Sequence, residues 1–535
     1  MNKRRMQAAA ALTALTMLVT ACGTEGDTAS AVAETAEGDL AAVTDDNVEP
    51  HTIDPFDFAE SEVERISLGS TIETTSDGVS VDGTTATIES AGVYEITGTV
   101  SDGQVVVDAG DDAVVRLILD DADITNDDGA AIAVMTADTA VVILADGSSN
   151  TLADGAVYDL PDGEDEPNAT LFSKTDLTLA GTGTLAVVAN ANDGIASKDG
   201  LVIEDGTITI DAVDDGIRGR DYVAVDGGDL AITAGGDGIK ADNDEDADRG
   251  FVRITGGTIG VVAGDDGIQA TTDALVSDGD LTVAATDDGI HADLSVTVDG
   301  GSIAITESFE GIEAEVITIN DGSIDITSND DGLNVASAEA TTETTFAAPG
   351  PGGGGPGGPG GDEGVGDHYI FINGGTTTII VTDELAEQGD GIDANGHVEM
   401  TGGLVVVSGP TDTRNSAIDY SGGSFEVSGG TLVGTNIDGR NSEGVGIGSS
   451  QASVYVTFGS TIEAGTLVNL QSVDGESLVT FAPTNEFDVL VFTSPDLVAG
   501  EEYEVYVGGT GGDLSVSGLY DTYTPGTSAG TITAA

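Results

Sequence analysis

The sequence predicts an all-β chain built as a right-handed parallel β-helix, with three strands in each coil. Two short phrases recur at one period along this chain of 535 residues. In the phrase DGI and its variants, successive glycines are separated by 22, 22, 29, 22, 22 and 21 residues. Each glycine of a second series stands 10 residues before the next DGI glycine. Repetition at such a period is typical of a solenoid. The DGI glycines are Gly194, Gly216, Gly238, Gly267, Gly289, Gly311 and Gly332, and the others are Gly206, Gly228, Gly257, Gly279, Gly301 and Gly322.

One repeat, residues 205–227, shows why the unit has three strands. Apolar and polar residues alternate over 207–211, which is the period of a strand. A turn follows at 214–216, Ile217 begins a second short strand, and 222–225 form a third. This leaves no room for a helix within the period of about 22 residues. Coils of this kind pair edge to edge at about 4.8 Å.

The residue after each DGI glycine is aliphatic and is expected to form one inward ladder. Each of these side chains contributes roughly 1.5–3 kcal/mol on burial. A single coil cannot offset its own ordering entropy, so neighbouring coils must stabilise one another. The predicted ladder is Ile195, Ile217, Ile239, Ile268, Ile290, Ile312 and Leu333.

The composition limits the possible partners. Formal net charge is -82, from 96 acidic and 14 basic residues. We therefore expect no nucleic-acid partner and no binding to anionic membrane surfaces through the protein itself. The chain has no Trp, which counts against a flat aromatic stacking platform.

The amino terminus predicts a lipoprotein. Three basic residues and an apolar run precede the sequence LVTAC, which resembles a bacterial lipobox and ends at Cys22, the single cysteine. Such a segment is typical of a signal peptide, here residues 1–22, rather than of a spanning helix. A lipid on Cys22 would anchor the protein outside the membrane, at the bacterial cell surface. The alternative is an incidental cysteine in an ordinary secretory signal.

The rest of the chain divides by composition and period. Residues 23–60 are acidic without periodicity and predict a disordered tether. Residues 61–169 predict an N-terminal β region with the first coils, which acts as a β cap, and 170–448 the regular β-helix. A Gly/Pro-rich insertion at 341–367 interrupts the coils. The period ends near 449, so 449–535 are expected to form a C-terminal antiparallel β cap.

Acidic residues precede nearly every DGI glycine, and many are doubled. Stacked carboxylates about 5 Å apart repel by roughly 1 kcal/mol per pair in water. Ca²⁺ binds six to eight oxygen ligands and can bridge adjacent coils, so calcium is the predicted cofactor. The alternative is that Asp-Gly serves as a solvated turn dipeptide. The candidate ligands are Asp193, Asp214, Asp215, Asp237, Asp265, Asp266, Asp287 and Asp288, and the file continues through Glu310, Asp330, Asp331 and Asp390.

The one seven-residue expansion of the period is also acidic. It lies between Gly238 and Gly257 and carries acids at alternate positions. Such a loop can converge on a hard cation, although its spacing matches only part of an EF-hand loop. The alternative is a solvated acidic loop. The candidate ligands here are Asp242, Asp244, Asp246 and Asp248.

The position two residues after each DGI glycine is expected to face outward and carries several basic or polar groups. Arg218 and Lys240 occupy it in consecutive coils, and Lys198 and Arg220 lie close by. Such groups suit a carboxylated sugar. They also suit a lyase, in which a Lys or Arg acts as base and Ca²⁺ acidifies the proton next to a uronate carboxylate. Charge compensation of the acidic ladder is the third interpretation. The candidate carbohydrate-binding residues are Arg218, Arg220, Lys240, Gln269 and His291, and the candidate lyase residues are Lys198, Arg218, Arg220 and Lys240.

These phrases in order resemble a known family. SAGVYEITGTVSDGQVVV, ATLFSKTDLTLAGTGTL, DGIRGRD, GDGIKADNDEDADRGF, the Gly/Pro insertion and GDGIDANGHVEMTGG are similar to the carbohydrate-binding β-helix family of bacterial surface proteins. The resemblance covers about residues 65–510. It implies a pectate-lyase-like fold, calcium, and binding of plant-type polysaccharides, including acidic ones, without established catalysis. The chain departs from the family at 309–310 and 416–417.

The expected function is therefore a monomeric, calcium-dependent, carbohydrate-binding lipoprotein that takes acidic, polygalacturonate-like or other plant-type polysaccharides. A membrane is a partner through the lipid anchor alone. Two alternatives stay open. One is a pectate-lyase-like enzyme, and the other is a structural adhesin or spacer.

Overall fold

The described part of the computed structural model comprises residues 47–161, 163, 165–336, 368–382, 389–420, 422–439, 443–515 and 518–535. It is all-β apart from one short 3₁₀ helix, Glu60–Glu62, and forms a solenoid of about 12 turns. The predicted all-β class and parallel β-helix are thereby confirmed. The predicted signal peptide with Cys22 and the predicted insertion 341–367 lie outside the described residues. Among the helices of the described residues, none has the length and apolar character to cross a membrane.

Short strands follow one another closely along the chain. The first are β1 (Val63–Leu68), β2 (Glu73–Thr74), β3 (Val79–Asp82), β4 (Thr85–Ile88), β5 (Gly92–Val100), β6 (Gln104–Asp108), β7 (Val114–Asn126), β8 (Ile132–Thr136), β9 (Thr139–Leu144), β10 (Ser149–Asp154), β11 (Ala169–Ser173), β12 (Asp176–Gly181), β13 (Thr184–Ala189) and β14 (Asp193–Ser197). The regular coils continue with β15 (Gly200–Ile203), β16 (Thr207–Ala212), β17 (Ile217–Gly219), β18 (Tyr222–Val225), β19 (Asp229–Ala234), β20 (Ile239–Ala241), β21 (Phe251–Ile254), β22 (Thr258–Ala263), β23 (Ile268–Ala270), β24 (Asp273–Val276), β25 (Asp280–Ala284), β26 (Ile290–Val298), β27 (Ser302–Glu307), β28 (Ile312–Ile319), β29 (Ser323–Ser328) and β30 (Leu333–Val335). The last are β31 (Tyr369–Ile372), β32 (Thr376–Val381), β33 (Ile392–Ala394), β34 (His397–Met400), β35 (Leu404–Ser408), β36 (Ser424–Val427), β37 (Thr431–Asn436), β38 (Ser453–Ile462), β39 (Val468–Ser472), β40 (Ser477–Phe481), β41 (Phe487–Thr493), β42 (Glu502–Gly511) and β43 (Tyr523–Thr533).

From β10 to β23 each strand pairs in parallel with the strand three places further along the chain. The DGI strands β14, β17, β20 and β23 form one face of the solenoid. A second face contains β15, β18, β21 and β24, and a third contains β16, β19, β22 and β25. Stacking of the coils therefore places equivalent residues of successive repeats directly beside one another.

The predicted inward ladder forms the core of the first face. Its members are at most 1% exposed and are paired in register from coil to coil. This prediction is confirmed. Successive side chains of a strand point to opposite faces, so the aliphatic residue faces the core and the residue after it faces outward. The ladder is Ile195, Ile217, Ile239, Ile268, Ile290, Ile312 and Leu333.

The two recurring glycines are required for different reasons. Gly228 has φ +94°, a left-handed conformation that side chains rarely adopt. A Cβ on Gly216, by contrast, would lie 2.4 Å from a methyl of Ile232 and 2.7 Å from the carbonyl oxygen of Gly238. The DGI glycine therefore permits the close approach of the core and the next coil, and this approach brings its preceding acid onto a tight turn.

Residues 48–60 lie along the second face of the solenoid. The backbone N–H of Val48 donates to the carbonyl of Asp248 at 2.9 Å, and the N–H of His51 donates to the Tyr222 hydroxyl at 2.7 Å. The sequence assigned these residues to a disordered tether, whereas they form hydrogen bonds to two coils. Their composition lacks strand periodicity because they pack on the outside of a sheet and do not belong to it.

After the last parallel coils the pairing becomes antiparallel. Strand β41 pairs antiparallel with both β37 and β38. Strands β40, β39, β42 and β43 form a separate four-stranded antiparallel sheet. A second apolar cluster, which includes Phe481, Phe487 and Phe492, packs in this region.

Candidate functional site

Several of the acids that precede the DGI glycines accept a backbone hydrogen bond from the next coil. Oδ1 of Asp215 accepts the backbone N–H of Asp237 at 2.9 Å, and Oδ1 of Asp237 accepts that of Asp266 at 3.0 Å. Oδ1 of Asp266 in turn accepts the N–H of Asp288 at 2.9 Å. One oxygen of each carboxylate therefore satisfies an amide that the turn takes out of the sheet. This role explains why Asp recurs at this position even where no cation is bound.

The other carboxylate oxygens face the column of side chains two residues beyond each DGI glycine. Arg218 and Lys240 are direct neighbours in that column, as predicted. Lys240 Nζ lies 2.5 Å from Oδ2 of Asp237 and 3.7 Å from Oδ2 of Asp215. Arg218 Nη1 lies 3.6 Å from Oδ2 of Asp193. Both cations compensate the buried acids, so charge compensation is one role that the geometry supports.

Burial is the main cause of the pKa shifts of the acids that precede the DGI glycines. Burial, together with the neighbouring carboxylates, raises the pKa of Asp193 to about 7 and that of Asp266 to about 8. Burial raises the pKa of Asp215 to about 6, against the lowering effect of Lys240. Burial alone would lower the pKa of Lys240, but Asp215 and Asp237 outweigh it, so the pKa is raised. An added cation would therefore stabilise the ionised form of these carboxylates.

His291 occupies the same column and is surrounded by acids. Its Nδ1 lies 3.0 Å from Oδ2 of Asp288 and 3.2 Å from Oε2 of Glu313, and its Nε2 lies 3.3 Å from Oδ1 of Asp293. Burial lowers the pKa of His291, but the hydrogen bonds to Asp288, Asp293 and Glu313 outweigh it and raise the pKa. The surrounding carboxylates therefore favour the protonated form of His291.

Four groups of side chains in the described residues place three ligand atoms within 4.8 Å of one another. Nine of the acids predicted in the file or the expansion loop belong to these groups, including Asp331 and Asp390, whereas Asp242, Asp244, Asp246, Asp248, Asp287, Glu310 and Asp330 do not. Sequence reasoning missed Asp393, although it stands two residues after a DGI glycine, at the position equivalent to Arg218. The groups are Asp193–Asp214–Asp215, Asp237–Asp265–Asp266, Asp288–His291–Glu313 and Asp331–Asp390–Asp393.

The acidic expansion loop folds over the basic side chains. Oδ2 of Asp242 accepts from the guanidinium of Arg218, with Nε at 3.1 Å, and Oε2 of Glu245 accepts from Arg220 Nη2 at 2.6 Å. Asn243 holds the loop, because its Oδ1 accepts two backbone N–H groups of the loop at 3.0 Å each. Two of the loop carboxylates are thus already paired with arginines. Cation binding by this loop stays a prediction.

Lys198, Arg218 and Arg220 line one cavity of about 380 Å³, together with Asp242 and Asp244. The structure therefore brings together three of the four residues assigned to a lyase. Lys240, Gln269 and His291 continue the column of Arg218 in the following coils. What results is a strip that begins with cationic side chains in a cavity and becomes acidic further along the solenoid.

The comparisons with known proteins address the same region. Residues 82–347 match the model of the family described as "Carbohydrate-binding domain-containing protein". A curated protein of that description from Acetivibrio thermocellus is 39% identical over 137 residues, which is 25% of this chain and 48% of the relative. The chain thus matches about half of that relative's length.

A solved structure is also similar. It is described as a "polysaccharide lyase-like protein from C. thermocellum, Gadolinium derivative", with 35% sequence identity and a TM-score of 0.39. The match covers 46% of this chain and 96% of that chain. The resemblance to a carbohydrate-binding family that the sequence indicated is confirmed by the match of the family model. The stretch of the chain from residue 82 to residue 347 belongs to the family of carbohydrate-binding domain-containing proteins.

Proposed function

We propose that this protein is a calcium-dependent receptor for acidic polysaccharides of the polygalacturonate type, held at the bacterial cell surface by a lipid on Cys22. The family match supports carbohydrate as the ligand. The cavity lined by Lys198, Arg218 and Arg220 is the observation that favours an acidic glycan over a neutral one. In a chain with 96 acidic and 14 basic residues, three cations in one cavity form the natural place for a carboxylate.

Binding would proceed by exchange of carboxylates. Arg218 and Arg220 are already paired with Asp242 and Glu245 of the expansion loop. A guanidinium binds a sugar carboxylate with the same fork geometry that it uses for Asp or Glu. A polyuronate replaces the loop carboxylates one for one, so no buried charge is left unpaired. Repeated uronates along one chain then bind as a multivalent ligand.

Calcium fits best at Asp331, Asp390 and Asp393. Within the described part of the chain, no Lys, Arg or His forms an ion pair with any of these three carboxylates. Oδ1 of Asp393 and Oδ1 of Asn334 are buried without a hydrogen-bond partner. Burial raises the pKa of Asp393 to about 7, with Asp419 and Asp330 adding to the effect. An oxygen-only set that lacks a counter-ion is the kind that Ca²⁺ prefers.

Calorimetric titration of the mature protein with polygalacturonate tests the proposal. We expect heat of binding in Ca²⁺, and weaker binding both in EDTA and in Arg220→Gln. Arg65→Gln is the matched control, because Arg65 is an exposed arginine that pairs with Glu95 at 3.0 Å outside the cavity. Equal affinity of the folded Arg220→Gln protein and the wild type would overturn the choice of an acidic glycan. A neutral plant glucan in the same cell shows whether another carbohydrate is the ligand.

A second candidate function is polysaccharide lyase activity. It is favoured because Lys198, Arg218 and Arg220 line the same cavity. In that reaction a basic side chain removes the proton next to the uronate carboxylate, and the glycosidic oxygen leaves as a new double bond forms. Ultraviolet absorbance of unsaturated products distinguishes this activity from binding alone. A spacer protein, the third possibility, would show neither binding nor product.

A further inference from the structure

One group along the ladder differs in chemistry from the other three. Asp288, His291 and Glu313 offer one nitrogen and two carboxylate oxygens within 4.8 Å of one another. The other groups offer carboxylates alone. Imidazole is a ligand of zinc and related transition metals, whereas Ca²⁺ takes oxygen ligands. The ligand set at His291 is therefore selective for a different class of cation.

The ring of His291 is oriented as a metal ligand would be. Its Nδ1 faces both Asp288 and Glu313, at 3.0 and 3.2 Å. Its Nε2 faces Oδ1 of Asp293 at 3.3 Å. Histidines that bind metals commonly donate their other ring N–H to a carboxylate, which fixes the tautomer and the ring plane. Asp293 is placed for that role.

The residue one coil before His291 in the column carries an oxygen without a hydrogen-bond partner among the described residues. Gln269 precedes His291 by one coil in the column and is its direct neighbour across the sheet. Oε1 of Gln269 is buried and has no hydrogen-bond partner. Glu313 follows His291 by one coil in the same column. A buried acceptor without a donor is costly, and a cation between these coils would remove that cost.

We propose that Asp288, His291 and Glu313, with the amide oxygen of Gln269, form a site for a zinc-type divalent cation. His291 binds through Nδ1 and donates its Nε2–H to Asp293. On binding, the metal takes the place of the Nδ1 proton, which leaves to solvent. This site is separate from the oxygen-only calcium groups and does not depend on the glycan.

The test uses the mature protein saturated with millimolar Ca²⁺ and then titrated with ZnCl₂. We expect one Zn²⁺ per molecule by elemental analysis after gel filtration. Nitrogen-15 NMR of the histidines, of which the full chain has 4, identifies the bound nitrogen. The Nδ1 signal of His291 should change to that of a metal-bound nitrogen, while its Nε2 stays protonated.

Two variants and a control make the result specific. His291→Gln and Glu313→Gln should each weaken Zn²⁺ binding by about tenfold or more. His397→Gln is the matched control, because His397 is half-buried and its Nδ1 lies 2.9 Å from the Ser424 hydroxyl, with no carboxylate. It should bind Zn²⁺ as the wild type does.

Failure to bind Zn²⁺ in the presence of Ca²⁺ would overturn the proposal, as would a His291 Nδ1 that stays protonated in the zinc-loaded wild type. Full-affinity binding by Glu313→Gln would also overturn it. If His291→Gln fails to fold, the wild-type NMR spectrum and the Glu313→Gln titration still decide the matter.

Discussion

The backbone N–H of Asp237 donates to Oδ1 of Asp215 at 2.9 Å, so the carboxylate of one coil closes the turn of the next. In the same way the N–H of Asp266 donates to Oδ1 of Asp237, and the N–H of Asp288 donates to Oδ1 of Asp266. The acidic residues before the DGI glycines therefore have a structural role that needs no bound cation. The hydrogen bond uses one oxygen of each carboxylate, so Asp→Asn and Asp→Ala substitutions distinguish this role from the proposed binding of calcium.

Asp215→Ala should destabilise the solenoid by about 1–3 kcal/mol, because the amide of Asp237 loses its acceptor inside the protein. Asp215→Asn keeps an acceptor oxygen and should cost less. Asp214→Ala is the control, because Asp214 is the exposed neighbour and should change stability by less than about 0.5 kcal/mol. Urea unfolding in EDTA gives the order of the three midpoints. An Asp215→Ala protein as stable as Asp214→Ala would show that the bond has no structural role.

Without metal, the protein should be more stable at pH 5 than at pH 8. Burial raises the pKa of Asp193 and Asp288 to about 7 and that of Asp266 to about 8, whereas an unfolded Asp titrates near about 3.9. Between about pH 4 and 8 the folded state therefore holds protons that the unfolded state has released, so stability falls as pH rises through this window.

Thermal unfolding in EDTA across this pH range measures the effect. Saturating Ca²⁺ should reduce the pH dependence, because a bound cation takes over the compensation that protons provide at low pH. A melting temperature in EDTA that rises from pH 5 to pH 8 would contradict the prediction.

The Asp331–Asp390–Asp393 group and the expansion loop are the two candidates for the Ca²⁺ site of highest affinity. Asp393→Asn should weaken the strongest Ca²⁺ site by about tenfold or more, since a charged ligand contributes roughly 1.5–3 kcal/mol. Asp242→Asn should leave that site unchanged, because Asp242 is paired with Arg218. Isothermal titration with CaCl₂ distinguishes the two variants. The opposite result would place the ion at the expansion loop.

The period of the sequence was sufficient to predict the solenoid and the inward position of residues such as Ile217. It also predicted that Arg218 and Lys240 would be neighbours, since register in a coil is set by the repeat. It could not predict the Asp215–Asp237 hydrogen bond, because the turn dipeptide Asp-Gly is compatible with a solvated side chain. The packing of residues 48–60 was missed because a segment outside the sheets carries no periodic signal.

The expansion loop shows the same limit for the candidate site. Alternating acids indicated a cation, but Asp242 and Glu245 face arginines that lie 24 and 25 residues earlier in the chain. Only the fold reveals that the loop returns over the preceding coil. Conversely, Asp393 could have been found from its equivalence to Arg218 in the repeat.

Glu245→Gln should increase affinity for polygalacturonate, whereas Arg220→Gln should decrease it. Glu245 is an exposed loop acid that lies 2.6 Å from Arg220, so removing its charge frees the guanidinium for a sugar carboxylate. Loss of Arg220 removes a charged hydrogen bond of roughly 1.5–3 kcal/mol. Glu95→Gln is the matched control, because it frees Arg65 away from the cavity and leaves the net charge equal to that of Glu245→Gln. Affinities are compared by titration at one ionic strength, because added charge alone raises attraction for a polyanion. Equal gains in Glu245→Gln and Glu95→Gln would show that net charge, and not the cavity, determines binding.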